Sequence, residues 1–218
     1  MLAGEGVIAI WNGITPEGRA DFYDWHINEH MPERVGIPGF RRGRRYIAAE
    51  AATHPEFFTL YETETPQVAQ GIDYANRLNA PTPWTRTATA AFRDTFRSLA
   101  RVVESRGPGM GVAMLTVRFD IAEAEALLPL LRAAAEMPRV TGAHLCIADR
   151  AASAVRSAET HGRSDIQEPP AQFLMLEAID TAALDGLATA DALVAAGAAR
   201  PIRGVYLLEY VRGRTAWG

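Results

Sequence analysis

The sequence predicts an α+β protein made of two tandem β-α-β-β-α-β units that form a pseudo-twofold barrel within one chain. Three observations predict it. Apolar alternation and helical periodicity run in the order β-α-β-β-α-β through the first half and again from residue 111 onward. The halves also share spelling: "EHMPERV" at 29–35 sits against "AEMPRV" at 135–140, so that Met31-Pro32 recurs as Met137-Pro138, and "FTLYE" matches "FLMLE". Finally, a split β-α-β unit carries both helices on one face of an antiparallel sheet, so two such sheets bury their bare faces by packing together.

In the first unit, "GVIAIW" is a short apolar strand. A helix follows from about Glu17 to Met31, started by Thr15-Pro16 and ended by Pro32 and "GIPG". "GFRRGRRYIAA" alternates, with Phe40, Arg42, Arg44 and Tyr46 on one face, and "EFFTLYET" is the next strand across the loop "EAATHP". "TPQVAQGIDYANRL" reads as a helix and "FRDTFRSLARVVES" as the closing strand. In the second unit "GVAMLTVRF" is a strand, "AEAEALLPLLRAAAEM" a helix, and "TGAHLCIA" and "AQFLMLEAI" are strands. "TAALDGLATADALVAAG" is a helix and "RGVYLLEYV" the last strand. The units span 1–105 and 110–218; they break at "SRGPG", and the polar insertion at 150–170 is expected to be a mobile loop.

Composition narrows the function classes. With 48% hydrophobic residues in 218, the chain is an ordinary globular sequence. A net charge of -4 argues against nucleic acid or an anionic membrane as partner, since either calls for a basic surface. All 22 basic residues are Arg, which with the Ala-rich composition suggests a GC-rich bacterial genome. The single Cys146 excludes an internal disulfide, and no apolar run is long enough to cross a bilayer. The N-terminus lacks the pattern of a cleaved signal, so a cytoplasmic location is expected.

The candidate site lies in "FYDWHINEHMPERVGIPGFRRGRRY", residues 22–46. At about 100° per residue, Phe22, Tyr23, His26, Ile27 and His30 share one helix face. The repeat aligns His26 with Arg132 and His30 with Glu136, so only the first half carries the histidines. Three readings of the pair stay open. Core histidines would satisfy neighbouring polar groups, a pocket pair would perform acid/base chemistry near neutral pH, and "HINEH" fits the H-x-x-E-H pattern of zinc hydrolases. The zinc reading is the weakest, because no second cluster of ligands accompanies the motif and no metal is expected.

The string "DWHINEHMPERVGIPGFRRGRRY" in this duplicated frame resembles the dimeric α+β barrel superfamily, and EthD-like proteins in particular. There a helix ending in His-x-Pro leads through a "PG" loop into the second strand, as His30-Met31-Pro32 and Pro38-Gly39-Phe40 do here. The resemblance implies ferredoxin-like units and a functional role for His30. It covers the first half well and the second only in its frame. It points to cofactor-independent monooxygenases, isomerases or dehydratases, alongside members with no activity and barrels that bind haem.

On the residues themselves, His30 and His26 are the candidate catalytic pair, moving a proton on a small conjugated substrate. Tyr46 and Tyr23 are candidate hydrogen-bond donors to a developing oxyanion, Arg42 and Arg44 candidate carboxylate ligands, and Trp84 in "NAPTPWTR" a candidate aromatic wall. His54 and His161 read as exposed and His144 as half-buried, and none carries a role. "GPGMG" leads into a strand rather than a helix, so no phosphate loop is present and no nucleotide, flavin or other cofactor is expected. The first hypothesis is a cofactor-free acid/base enzyme with a small organic molecule as partner. The second is a non-catalytic binding or assembly protein, with outward helices or a free sheet edge offering a homodimer contact.

Overall fold

A computed structural model describes residues 1–120 and 123–215. Its strands are β1 (Gly6–Ile14), β2 (Phe40–Ala48), β3 (Phe57–Thr63), β4 (Phe92–Arg106), β5 (Ala113–Asp120), β6 (Val140–Ala148), β7 (Gln172–Ala178) and β8 (Ala199–Gly213). They pair antiparallel and close on themselves in the order β1-β3-β2-β8-β5-β7-β6-β4.

This corrects the predicted fold class. The chain is one closed eight-stranded antiparallel barrel with short peripheral helices, and not a tandem α+β pair of ferredoxin-like units with stacked sheets. The reason lies in the two 15-residue strands. β4 pairs with β1 through Phe92–Arg101, and its far end, Ala100–Arg106, pairs with β6. In the same way β8 pairs with β5 near its start and with β2 from Tyr206 to Gly213. An open sheet edge leaves backbone N–H and C=O groups without partners, and these overhangs satisfy both edges at once. Closure also removes the free edge that a strand-to-strand homodimer contact would need.

The helices are α1 (Arg19–Trp25), α2 (Met31–Gly36), α3 (Ile72–Asn79), α4 (Pro83–Ala90), α5 (Leu128–Ala135), α6 (Arg150–Ala154) and α7 (Ala190–Ala195). They are shorter than predicted. The expected helix over 65–78 starts as a 3₁₀ turn at Pro66–Gln70, and the one over 181–197 is interrupted at Gly186, whose φ of 71° lies outside the helical region. The one over 122–137 begins at Ala122, outside the described residues. "NAPTPWTR", expected as a loop, contains the start of α4: the Thr82 hydroxyl accepts the Thr85 N–H at 2.9 Å, and Pro83 occupies the first turn. No helix among the described residues is long and apolar enough to cross a membrane.

Val7, Trp11, Phe58, Met114, Phe173 and Tyr206 fill the barrel interior, with Cys146 among them. Burial pushes the Cys146 thiol up, so it stays protonated. A second apolar cluster forms between the barrel and α5, around Leu115, Val117, Leu131 and Leu176. At one end the interior turns ionic. Arg44 pairs with Glu62 at 2.9 Å and Glu177 at 2.7 Å, and all three side chains are inaccessible to solvent. Arg42 donates to both oxygens of Glu62 at 2.8 and 2.7 Å. His144 is fully buried here, with Nε2 3.1 Å from Glu177 and Nδ1 2.9 Å from the Ser105 hydroxyl. Burial raises the Glu177 pKa, but the His144 contact and the Arg44 guanidinium outweigh it and hold the carboxyl at about 2.

Candidate functional site

The histidine helix is not regular. Between α1 and α2 the residues His26–His30 form one wider π turn, closed by the Met31 N–H reaching the His26 carbonyl. Pro32 accounts for it. Without an N–H for the Asn28 carbonyl, and with a ring that would strike it, Pro32 displaces the hydrogen-bond ladder by one residue. Residues in such a turn advance by less than 100°, so Trp25, His26, His30, Met31 and Arg34 all stay on the buried side, while Ile27 faces solvent.

His30 borders a cavity of about 240 Å³ between this helix and the outer face of β3 and β4. Its ring stacks on Trp25 with centroids 4.2 Å apart, and Trp25 is fixed in turn by its Nε1 donating to the Thr85 hydroxyl at 3.2 Å. Tyr61 from β3 stands across the cavity, 6.2 Å from the His30 ring. Among the described residues neither the Tyr61 hydroxyl nor His30 Nδ1 has a hydrogen-bond partner. His26 does not border the cavity. Its ring lies 5.4 Å from that of His30 and 5.3 Å from Phe22, on the barrel side of the helix.

The roof is the 150–170 insertion, which is tied down along its length. Glu159 N–H donates to the Leu78 carbonyl at 3.0 Å and the Glu159 carboxylate pairs with Arg34. The Leu99 N–H donates to the Ser153 hydroxyl at 2.9 Å, and Ile166 bridges to Thr95. Arg163 lies over the Phe92 ring and donates to both carboxylate oxygens of Asp165.

The cavity is electropositive. Arg34, Arg97, Arg156 and Arg163 border it against two carboxylates, Glu159 and Glu168. Arg97 has contacts only with neutral oxygens, the Tyr74 hydroxyl at 3.4 Å and the Ser153 carbonyl at 3.5 Å, and among the described residues no carboxylate pairs with it. Burial first, and then Arg34, push the His30 pKa well below its usual value; burial and Arg45 do the same for His26. Both rings are therefore neutral at pH 7. Burial raises the Tyr61 hydroxyl, which stays a proton donor.

The remaining sequence candidates lie elsewhere. Tyr46, Arg42 and Arg44 point into the barrel, on the opposite side of the sheet from the cavity. A bulge between Phe40 and Arg42 reverses the alternation, so Phe40 packs outward against Tyr61 and Tyr74 instead of sharing their face. Tyr23 donates to Glu209 at 3.0 Å, and Trp84 donates from Nε1 to Asp21 at 2.8 Å behind the helix. Tyr61 and Arg97 were missed. Their signal is the parity of β3 and β4, whose outward residues face the histidine helix.

The HxxEH glutamate is occupied: Glu29 accepts from the Thr82 and Thr85 hydroxyls at 2.6 and 3.1 Å. Among the described residues no group of three His, Cys, Asp or Glu side chains is placed to hold a metal. Haem does not fit this cavity. The cavity is smaller than the 300–1,000 Å³ usual for drug-sized ligands, and the His30 ring is stacked against Trp25.

No protein-family model and no curated protein matches the sequence. Solved structures do match. An anthrone oxidase-like protein superposes with a TM-score of 0.61 at 12% identity, over 95% of this chain and 92% of its own. The likeness establishes the fold. A monooxygenase-like protein from Fusobacterium nucleatum subsp. nucleatum gives 0.58 at 8% identity, over 98% and 96% of the two chains. One from Lactobacillus acidophilus gives 0.55 at 9%, over 96% of each. These whole-chain matches, at 8–12% identity, concern the fold alone.

Proposed function

We propose that the protein is a cofactor-independent enzyme that removes a proton from a compact, conjugated, acidic small molecule in the His30 cavity. The observation that carries the reading is that two residues with buried, unsatisfied polar groups, His30 at Nδ1 and Tyr61 at its hydroxyl, border the same cavity as Arg97, which among the described residues pairs with no carboxylate. Neutral imidazole is the form that accepts a proton. Its lowered proton affinity restricts it to acidic protons, such as a C–H flanked by aromatic rings or carbonyls. The proton would pass to His30, the Tyr61 hydroxyl would donate to the oxygen that gathers the negative charge, and Arg97 would hold an acid group. The "DWHINEHMPERV" resemblance to EthD-like proteins supports a role for His30, and the anthrone oxidase-like and monooxygenase-like names of the fold neighbours suit a substrate of this kind.

The test is deuterium exchange into a panel of conjugated carbon acids, anthrones included, in D₂O. Wild-type protein is expected to catalyse exchange, and His30→Ala to lose about 10²–10⁴-fold of the rate with its circular dichroism unchanged. Tight binding with no exchange would overturn the enzymatic reading in favour of a binding protein.

A further inference from the structure

Among the described residues Arg118 is a buried cation without a counter-charge. It projects from β5 into the barrel end away from the Arg44 network, and it is only 6% exposed. Nη2 donates to the His54 carbonyl at 2.9 Å, while Nη1 has no partner among the described residues. Among the described residues no carboxylate pairs with it; its neighbours are the Phe96 and Trp11 rings, 4.5 and 5.4 Å from the guanidinium carbon. Burial lowers its pKa, as expected for a charge moved from water without compensation.

Such a group is costly to fold around unless something completes it. An open cleft of about 890 Å³ meets it, walled by Gly13, Ala48, Ala49, Phe96 and the loop through His54. Of the carboxylates on this cleft, Glu56 is paired with Arg19 and Glu50 lies 3.9 Å from Arg203. That leaves Asp94 against Arg93 and Arg118, so the unneutralised balance is positive.

We propose that this cleft is a second ligand site, distinct from the His30 cavity, that binds a small organic carboxylate with a flat apolar body. The carboxylate takes the free N–H groups of Arg118, and the body lies among Phe96 and the small residues of the wall. Guanidinium N–H groups match a carboxylate's oxygens, and a desolvated charge-assisted pair is stronger than an exposed one.

Calorimetric titration with benzoate tests this on the full chain. Arg97→Gln, which removes the acid-holding group proposed for the His30 cavity, is the background: it is expected to bind benzoate at the Arg118 cleft, and Arg97→Gln/Arg118→Gln to bind at least about tenfold more weakly. Arg118→Met, which removes the uncompensated charge, is expected to match or exceed the wild-type Tm without benzoate and, in the Arg97→Gln background, to gain no Tm from it. Benzoate binding by Arg97→Gln that is unchanged on adding Arg118→Gln, or that is already absent in Arg97→Gln, would overturn the proposal, as would an Arg97→Gln/Arg118→Met protein that benzoate still stabilises.

Discussion

Replacing Glu177 by glutamine is expected to destabilise the barrel by about 3–5 kcal/mol, measured by urea denaturation at pH 7. The carboxylate is inaccessible and accepts from Arg44, from His144 and from the Gly111 N–H at 3.1 Å. Its partner Arg44 is equally inaccessible and shares Glu62 with Arg42. Two guanidinium groups against two carboxylates leave the layer neutral, and the substitution leaves one positive charge with no water to solvate it. Arg44→Leu inverts the imbalance and should cost a similar amount. The double replacement Arg44→Leu/Glu177→Leu should cost clearly less than the sum of the single changes. Additive losses, or a Glu177→Gln loss below about 1 kcal/mol, would contradict a coupled, desolvated network.

Stability should also fall steeply as the pH drops below 6.5. His26, His30 and His144 are all held below their ordinary value of 6.5, chiefly by burial. Above pH 6.5 they are neutral in folded and unfolded chains alike and impose no penalty. Below it the unfolded chain binds protons that the folded chain does not, so the unfolded state gains, and the loss is complete only at the folded values. Three such groups give a slope of up to roughly 4 kcal/mol per pH unit. Glu177 acts lower down: its contribution is present above its ordinary 4.5 and is lost as the pH falls toward about 2. Urea titrations at pH 7.5, 6.5 and 5.5 check this. A shallower slope is expected for His30→Gln, and equal stability at all three values would contradict the buried, neutral rings.

Particular residues show how far the sequence was legible. The eight strands were readable because alternation survives in segments such as "GVAMLTVRF" and "FLMLE". That they close into one continuous sheet, instead of the two packed ferredoxin-like sheets expected, was not, since closure depends on overhangs of β4 and β8 that look like ordinary strand ends until their partners are known. The place of His30 on a buried face could be read at 100° per residue, but the separation of His26 from the cavity could not, because Pro32 imposes a wider turn. The bulge between Phe40 and Arg42 puts Phe40 outside the barrel while Tyr46 stays inside, so the aromatic residue of this strand expected at the site is absent there and Tyr61 of β3 borders the cavity instead. The roof has no periodicity to read; its anchors are single contacts such as Arg34 to Glu159.

The central claim is that the His30 cavity receives a small acidic aromatic molecule. A crystal structure of the protein soaked with salicylate tests it most directly. The account predicts the ring inside the cavity, the carboxylate on Arg97, and the phenolic oxygen within about 2.6–3.2 Å of a His30 nitrogen or the Tyr61 hydroxyl. An undisturbed cavity with salicylate bound elsewhere on the molecule would contradict it.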